Sequence, residues 1–269
     1  MSCEKKVLLI GTYDTKHQEL GYVFDLLQGK LAGSRKLLVH TLDVSFGAPR
    51  PEQYPYITFP NTLLIPEDGR ATQASRDERR ALITKGLAEL VLSLFRTNDY
   101  AVVCGLGGSN GTSLFNLAVR DLPLMYPRKI CLSTVAHDQN ADQLDITFIP
   151  SVCDLAGLNP LSRLALESLA GTVIGQAAFA KPLSQQLKQN NRQLVAIYMF
   201  GNTTAGVISA AELLEQHGFD SVIYHAVGSG GRALIKGVQE GIFSGVLDIT
   251  TTERLMNSAA ACYQPDPID

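Results

Sequence analysis

The residues best suited to bind an anion lie in one glycine-rich segment, Gly105-Leu-Gly-Gly-Ser-Asn-Gly-Thr-Ser113. It follows the apolar run 101–104 and precedes a predicted helix from Thr112 to Val119. Glycine lets the backbone approach a ligand closely, and a helix N-terminus offers unpaired N–H groups with a partial positive charge. The segment therefore predicts a phosphate-binding loop, with an ordinary tight turn and helix cap as the alternative. Its candidate site residues are Gly105, Gly107, Gly108, Ser109, Gly111 and Thr112.

A second polar turn, Gly11-Thr-Tyr-Asp-Thr-Lys16, follows the first apolar run of the chain. Lys16 can neutralise a phosphate or pair with Asp14, and Asp14 can cap a helix or hold Mg²⁺ through carboxylate oxygens. Gly11, Thr12, Asp14 and Lys16 are therefore candidate site residues, and helix capping is the alternative. The next helix is predicted to run from His17 to Leu31.

A third turn has the G-x-G-x-x-A spacing of a dinucleotide fingerprint, with Asp248 about twenty residues beyond it. It contributes Gly228, Gly230, Gly231 and Arg232, where Arg232 is either a phosphate partner or a solvated surface residue. The spacing predicts NAD(P) as an alternative ligand. The P-loop pattern G-x-x-x-x-G-K-[ST] does not occur in the sequence.

Further small polar residues follow other predicted strands, and they complete the candidate site. The histidines are dispersed without metal-ligand spacing, so no metal-binding residues are predicted. No catalytic constellation stands out either. These remaining candidate residues are Ser133, Thr134, Gly201, Thr203, Thr204, Thr251 and Glu253.

Short apolar runs alternate with amphipathic stretches along the whole chain, which is typical of parallel α/β folds. After a polar stretch at 188–192 the pattern restarts, so we predict two Rossmann-like lobes, 1–187 and 188–269. Few strands fit into the second lobe, which is expected to be incomplete. Because ligands of open α/β sheets bind at the carboxyl ends of the strands, the polar turns are expected to line a cleft between the lobes.

Composition limits the classes of partner. The net charge of -3 gives no general attraction for nucleic acid, and the long uncharged stretch 193–211 is interrupted by turn residues and predicts no membrane span. Cys104 and Cys131 lie in apolar runs and are expected to be buried, reduced thiols. Together with the absence of a signal-peptide pattern, this favours the cytoplasm.

Seven motifs follow one another along the chain: Ile10 to Lys16, Gly105 to Thr112, Ser133 to Ala136, Ser151 to Asn159, Met199 to Thr204, His225 to Ala233 and Gly245 to Glu253. In this order they resemble the ATP-binding family named after the tobamovirus resistance protein of tomato. The resemblance implies two Rossmann-like lobes, ATP with Mg²⁺ as the ligand, and homodimerisation. Proteins of that family continue well beyond the last of these motifs.

The sequence therefore predicts a nucleotide-binding protein, with ATP favoured over NAD(P) and phosphates bound on glycine-rich strand-to-helix turns. Whether it is an enzyme is left open. The alternatives are an NAD(P)-dependent oxidoreductase and a non-catalytic module that binds a protein partner. A phosphorylated small molecule in the same cleft is expected to use the same residues.

Overall fold

The computed structural model describes residues 4–29, 37–47, 54–65, 74–136, 145–183, 185, 187, 192–226 and 229–250. Within these residues the chain divides into two compact units, of which the first ends at Pro182 and the second begins at Leu183. Each unit contains one β-sheet and is described by itself. Every strand pair in both sheets is parallel, so the α/β prediction is confirmed.

The sheet of the first unit has five strands in the order β2-β1-β3-β4-β5. Its strands are rich in Val, Leu and Ile because both faces of the sheet are covered by helices. The register joins Val7 to both Val39 and Val102, at the centre of the sheet. The strands are β1 (Lys6–Gly11), β2 (Leu38–Asp43), β3 (Val102–Gly107), β4 (Arg128–Ser133) and β5 (Ile146–Pro150).

Among the described residues, four α-helices cover this sheet, two on each face. The first and fourth helices pack together on one side, and the second and third pack on the other. Two of them begin at strong capping residues: Ser75 forms a capping box with Glu78, and Asn159 caps a helix whose first residue is Pro160. The helices are α1 (Tyr13–Leu27), α2 (Arg76–Asn98), α3 (Ser109–Val119) and α4 (Pro160–Phe179).

Two helices begin earlier than the sequence predicts. Helix α1 starts at Tyr13 instead of His17, and α3 starts at Ser109 instead of Thr112. In both cases residues that read as a loop, 13–16 in α1 and 109–111 in α3, form the first helical turn.

The second unit has a three-stranded sheet in the order β7-β6-β8. A short 3-10 turn, Gly201–Thr203, links its first strand to the next helix. Several apolar side chains of this unit, including Ile223 and Val246, stay exposed. Its elements are β6 (Gln193–Met199), α5 (Thr204–Gln216), β7 (Phe219–His225), α6 (Ser229–Gln239) and β8 (Gly245–Asp248).

The thiols of Cys104 and Cys131 are buried and free, which confirms the sequence prediction for these two residues. Cys104 lies in the core under α1 and α4, and Cys131 lies in the core under α2 and α3. Burial raises the pKa of Cys131 to about 12 and also raises the pKa of Cys104. Both thiols therefore act as small apolar core residues at neutral pH.

His40 on β2 makes the stability of the first unit depend on pH. Its Nδ1 lies 2.7 Å from the Tyr100 hydroxyl, and burial, together with the positive charge of Lys6, lowers the His40 pKa. A depressed folded-state pKa means that the unfolded chain takes up the proton first. The contribution of His40 to stability is therefore complete above its ordinary pKa and is lost as the pH falls through the folded-state value.

We accordingly expect the free energy of unfolding of the wild type to decrease between pH 7 and pH 5. The variant His40→Gln, which has no titratable ring, should lose less stability over the same interval. Urea unfolding at each pH, followed by circular dichroism, measures the free energy of unfolding of the wild type and of the variant. Parallel pH profiles for the two proteins would assign the pH dependence to other groups.

Candidate functional site

The strand order of the first unit places a topological switch point between β1 and β3. Chain connections leave these two neighbouring strands toward opposite faces of the sheet, because α1 packs on one face and α3 on the other. In open α/β sheets the crevice outside the carboxyl ends of such strands is where ligands bind. The Gly11 and Gly107 turns both lie there, so two of the predicted polar turns come together at this point.

Helix α1 has its first N–H groups satisfied by the end of β2. The Tyr13 N–H donates to Asp43 Oδ1 over 3.4 Å, and the Asp14 N–H donates to Ser45 Oγ over 2.9 Å. Asp43 Oδ1 also accepts a hydrogen bond from the Ser45 N–H at 2.9 Å. A helix N-terminus that already has acceptors offers few donors to an anion.

Asp43 is buried and acts as this internal acceptor. Burial raises the pKa of its carboxyl group, while hydrogen bonds from Ser45 and Tyr13 lower it and the nearby Asp14 raises it further. Within the described residues Asp43 forms no ion pair. Its negative charge lies at the positive end of α1, which makes a carboxylate suitable as a cap there.

The N-terminus of helix α3, unlike that of α1, is not capped by a side chain. Gly108 is its N-cap and makes no side-chain hydrogen bond, and the first backbone bond of the helix joins the Thr112 N–H to the Gly108 carbonyl at 2.8 Å. Within the described part of the chain, the N–H groups of residues 109–111 have no acceptor. Ser109 and Asn110 are exposed. This helix end is therefore open to an anion.

Close backbone packing explains two glycines of this turn. A Cβ at Gly107 would lie 2.8 Å from the Gly111 Cα, so the turn closes only when position 107 lacks a side chain. A Cβ at Gly108 would meet only Thr134 Oγ1, at an ordinary contact distance of 3.5 Å. Gly107 and Gly111 shape the turn, and Gly108 faces the open side.

Other candidates of the first unit have hydrogen-bond partners inside the protein. The hydroxyls of Thr112 and Ser133 are 2.8 Å apart, and both residues are only 1% exposed. Thr134 is half-buried and donates its N–H to the Gly107 carbonyl at 3.2 Å. The Thr12 hydroxyl lies 2.9 Å from that of Thr15.

The glycines at the strand ends contact apolar core residues. A Cβ at Gly11 would lie 2.5 Å from the Leu20 side chain, and one at Gly105 would lie 2.6 Å from the Phe115 ring. Both glycines therefore allow a helix to pack closely on its strand. Neither contact involves the open side of the Gly107 turn.

Lys16 and Asp14 are both tied to neighbouring loops. The Lys16 ammonium group donates to the Leu155 carbonyl, and Lys16 itself has a non-helical backbone that kinks α1. Asp14 is exposed, and its Oδ2 accepts the Gly47 N–H at 3.2 Å. An ammonium group has three donors, and a carboxylate has several acceptor positions, so each side chain keeps capacity for a ligand.

In the second unit the hydroxyl residues at the carboxyl ends of β6 and β8 bond to one another. Thr203 Oγ1 lies 2.6 Å from Thr250 Oγ1, and the Thr204 hydroxyl donates to the Gly201 carbonyl at 2.9 Å. The Thr250 N–H donates to Asp248 Oδ1 at 3.1 Å. Gly201 is exposed, and a Cβ at this position would have open space around it.

The predicted dinucleotide turn is tightly packed at its second glycine. A Cβ at Gly230 would lie 1.9 Å from the His225 carbonyl oxygen, so the close contact between α6 and β7 requires glycine there. Gly231 is buried, and Arg232 is half-buried in the first turn of α6. Three predicted site residues lie outside the described residues: Gly228, Thr251 and Glu253.

Asp43 and Ser45, which decide that the N-terminus of α1 is capped, are not among the residues predicted from the sequence. A signal for them exists: an Asp at a strand end with Ser two residues later is typical of a side chain that bonds the backbone N–H two positions on. Glu19, which is 2% exposed and accepts the Gly157 N–H at 2.8 Å, is not among the predicted residues either.

Two kinds of feature are absent from the described residues: a membrane-spanning helix and a metal-binding cluster. None of their helices combines the length and apolar character needed to cross a membrane. No group of three or more His, Cys, Asp and Glu side chains among them is arranged to hold a metal ion.

Comparison with known proteins gives matches over most of the chain. The chain is 35% identical over 254 residues to UPF0261 protein mlr3387 of Mesorhizobium japonicum, and the match covers 93% of this chain and 60% of that protein. It is 34% identical over 267 residues to the ToMV resistance protein Tm-1(GCR237) of Solanum lycopersicum, with 92% of this chain and 35% of that protein covered. The chain thus spans less than two thirds of the length of these relatives.

Among solved structures, the chain is similar to UDP-GlcNAc 2-epimerase from Neisseria meningitidis, with 12% identity and a TM-score of 0.31 over 92% of this chain and 73% of that chain. The corresponding enzyme of Methanocaldococcus jannaschii gives 10% identity and the same TM-score of 0.31.

Two models of one protein family match consecutive parts of the chain. The N-terminal domain model of uncharacterised protein family UPF0261 matches residues 5–182, and the C-terminal domain model of the same family matches residues 192–267. The first match alone includes all five strands of the first sheet and the whole switch-point crevice. The chain therefore belongs to uncharacterised protein family UPF0261.

Proposed function

We propose that this protein binds a phosphorylated small molecule, with ATP as the first candidate, and that the phosphates lie at the N-terminus of α3. The observation that carries the proposal is the contrast between the two helices at the switch point. Helix α1 is capped by Asp43 and Ser45, whereas residues 109–111 of α3 have N–H groups without an acceptor in the described part of the chain. Such N–H groups, together with the helix dipole, favour phosphate.

Neighbouring side chains extend the proposed site. The Thr134 hydroxyl lies beside Gly108, and the Ser109 side chain is exposed at the start of α3. Lys16 supplies positive charge from the adjacent turn while it holds the Leu155 carbonyl. Mg²⁺ bound with a nucleotide takes oxygen ligands from one or two carboxylates as well as from phosphates, and exposed Asp14 is the carboxylate of this crevice that fits that role.

The dinucleotide alternative receives no separate support. The contact of Gly230 with the His225 carbonyl accounts for a glycine at that position without any ligand. ATP is preferred because the order of motifs along the sequence resembles an ATP-binding family. Homodimerisation and a cytoplasmic location stay predictions from the sequence.

A charge placed at position 109 tests the site. Ser109→Asp adds a carboxylate to the first turn of α3, where it stabilises the helix by about 0.3–1 kcal/mol. The same carboxylate repels phosphate, and we expect it to weaken binding of ATP–Mg²⁺ by about tenfold or more, which corresponds to ~1.4 kcal/mol. Isothermal titration measures the affinity, and thermal unfolding measures the stability.

Ser109→Asn is the matched control, because it has nearly the same shape without the charge. It should bind ATP–Mg²⁺ much as the wild type does. If Ser109→Asp binds as tightly as Ser109→Asn, the phosphates lie elsewhere. If the wild type shows no binding heat at millimolar ATP–Mg²⁺ or tripolyphosphate, the proposed function is wrong.

A further inference from the structure

Val152, in the loop that follows β5, has a left-handed backbone conformation with φ of 65°. Branched side chains rarely adopt this conformation, since their Cβ substituents crowd the backbone. Among the residues that the structure describes, two other non-glycine residues have a positive φ, and hydrogen bonds account for both. Asp99 caps α2 through a bond from its N–H to the Phe95 carbonyl at 2.8 Å, and the Met125 N–H donates to Asp145 Oδ2 at 2.7 Å.

The Val152 side chain has no comparable role inside the protein, because 94% of its surface is exposed. Its backbone is fixed from both sides. Ser151 is buried, donates its N–H to the Ser133 carbonyl at 3.1 Å, and donates its hydroxyl to the Cys153 carbonyl. The fold therefore holds an apolar side chain in solvent in an unfavourable conformation, a combination that is characteristic of functional positions.

The rest of this loop is anchored to α1 and α4. Lys16 donates to the Leu155 carbonyl, and the buried carboxylate of Glu19 accepts the Gly157 N–H at 2.8 Å. The Ser162 hydroxyl donates to the Gly157 carbonyl at 2.9 Å. Val152 is thus an exposed point on a loop that three side chains hold in place.

Val152 also lies on the same edge of the sheet as the proposed phosphate site. Ser133 pairs with Pro150 in the register of β4 and β5, and the Thr134 N–H bonds to the Gly107 carbonyl. The ends of β3, β4 and β5 therefore place Gly108, Thr134 and Ser151 at the same level, and Val152 is the next residue after Ser151. With neighbouring strands about 4.8 Å apart, the ends of β3 and β5 are separated by ~10 Å. A group attached to a phosphate at the start of α3 can span that distance toward the loop after β5.

We propose that Val152 is a specificity-determining residue, whose side chain packs against the nucleoside part of the ligand while the N-terminus of α3 holds the phosphates. This inference rests on the proposed function. The ligand then makes two contacts. The N-terminus of α3 recognises the phosphates, and Val152 recognises the apolar faces of the sugar and base. The two contacts are separable by experiment.

The test uses Val152→Gly and Val152→Asn, since both replacements tolerate the left-handed backbone and remove the apolar contact. Each variant and the wild type are titrated with ATP–Mg²⁺ and with tripolyphosphate. We expect both variants to melt at or above the wild-type Tm. Their affinity for ATP–Mg²⁺ should fall at least about fivefold, the loss expected when one or two buried methyl groups are removed, and their affinity for tripolyphosphate should not change.

The titrations distinguish failure of the Val152 proposal from failure of the proposed phosphate site. If the wild type binds both ligands and the variants bind ATP–Mg²⁺ equally well, the role of Val152 is refuted and the phosphate site stands. An equal loss of tripolyphosphate affinity, or a lower Tm in both variants, would show that Val152 shapes the loop itself, and would also overturn its role in specificity. If the wild type binds neither ligand, the proposed function fails and the Val152 assignment fails with it.

Discussion

Gly230→Ala is expected to destabilise the second unit by about 3 kcal/mol or more, at the upper end of what overpacked sites cost. The new Cβ would lie 1.9 Å from the His225 carbonyl oxygen, which belongs to the backbone and cannot rotate away. Either α6 or the end of β7 must move. A shift of β7 would disturb the bond from the Ala226 N–H to the Met199 carbonyl, which is 2.7 Å long and ties β7 to β6.

Hydrogen exchange of peptides from 193–248 is the appropriate measurement, because it reports on the second unit alone. Gly201→Ala is the matched control, since a Cβ there has open space around it, and its exchange should resemble that of the wild type. Should Gly230→Ala exchange like the wild type, the turn accommodates a side chain. The glycine at 230 would then need another explanation, such as the close approach of a ligand.

Asp145→Ala is expected to lower the free energy of unfolding of the first unit by about 3–5 kcal/mol, the usual cost of removing the carboxylate from a buried ion pair. The Lys129 side chain is 1% exposed, and its ammonium group lies 2.5 Å from Asp145 Oδ2. It also donates to the Pro123 carbonyl at 2.7 Å. The substitution removes in addition the acceptor of the Met125 N–H.

A double variant separates charge from packing. Lys129→Met combined with Asp145→Ala removes both charges, and we expect it to recover most of the lost stability in urea unfolding. Asp121→Ala breaks the exposed pair with Arg120, whose side chains are 62% and 47% exposed, and should cost less than about 1 kcal/mol. Equal losses for Asp145→Ala and Asp121→Ala would contradict the argument from burial.

The glycine-rich motifs of this chain contain two different kinds of glycine. Gly107 and Gly230 are required by contacts with nearby backbone atoms, so they would be needed in the absence of a ligand. Gly108 has room for a side chain and lies at the open end of α3. Ligand-binding experiments are therefore most informative at Gly108 and Ser109, where substitution leaves the packing of the turn intact.

The sequence by itself determined the fold class and most of the element positions. Apolar runs such as 7–10 and 130–133 became central parallel strands, because a strand buried on both faces needs a continuous apolar sequence. Polar and small residues marked the carboxyl ends of these strands. The position of the candidate site at the edge of the sheet followed from that pattern and the general rule for open α/β sheets.

Only the tertiary structure decided which of these turns is open to a ligand. Asp43 and Ser45 cap α1 from about thirty positions further along the chain, a contact that depends on the register of β1 with β2. The close approach of Gly230 to His225 and the backbone of Val152 are likewise set by packing. Residue types and spacing do not encode such contacts directly, because they arise when segments far apart in sequence are brought together.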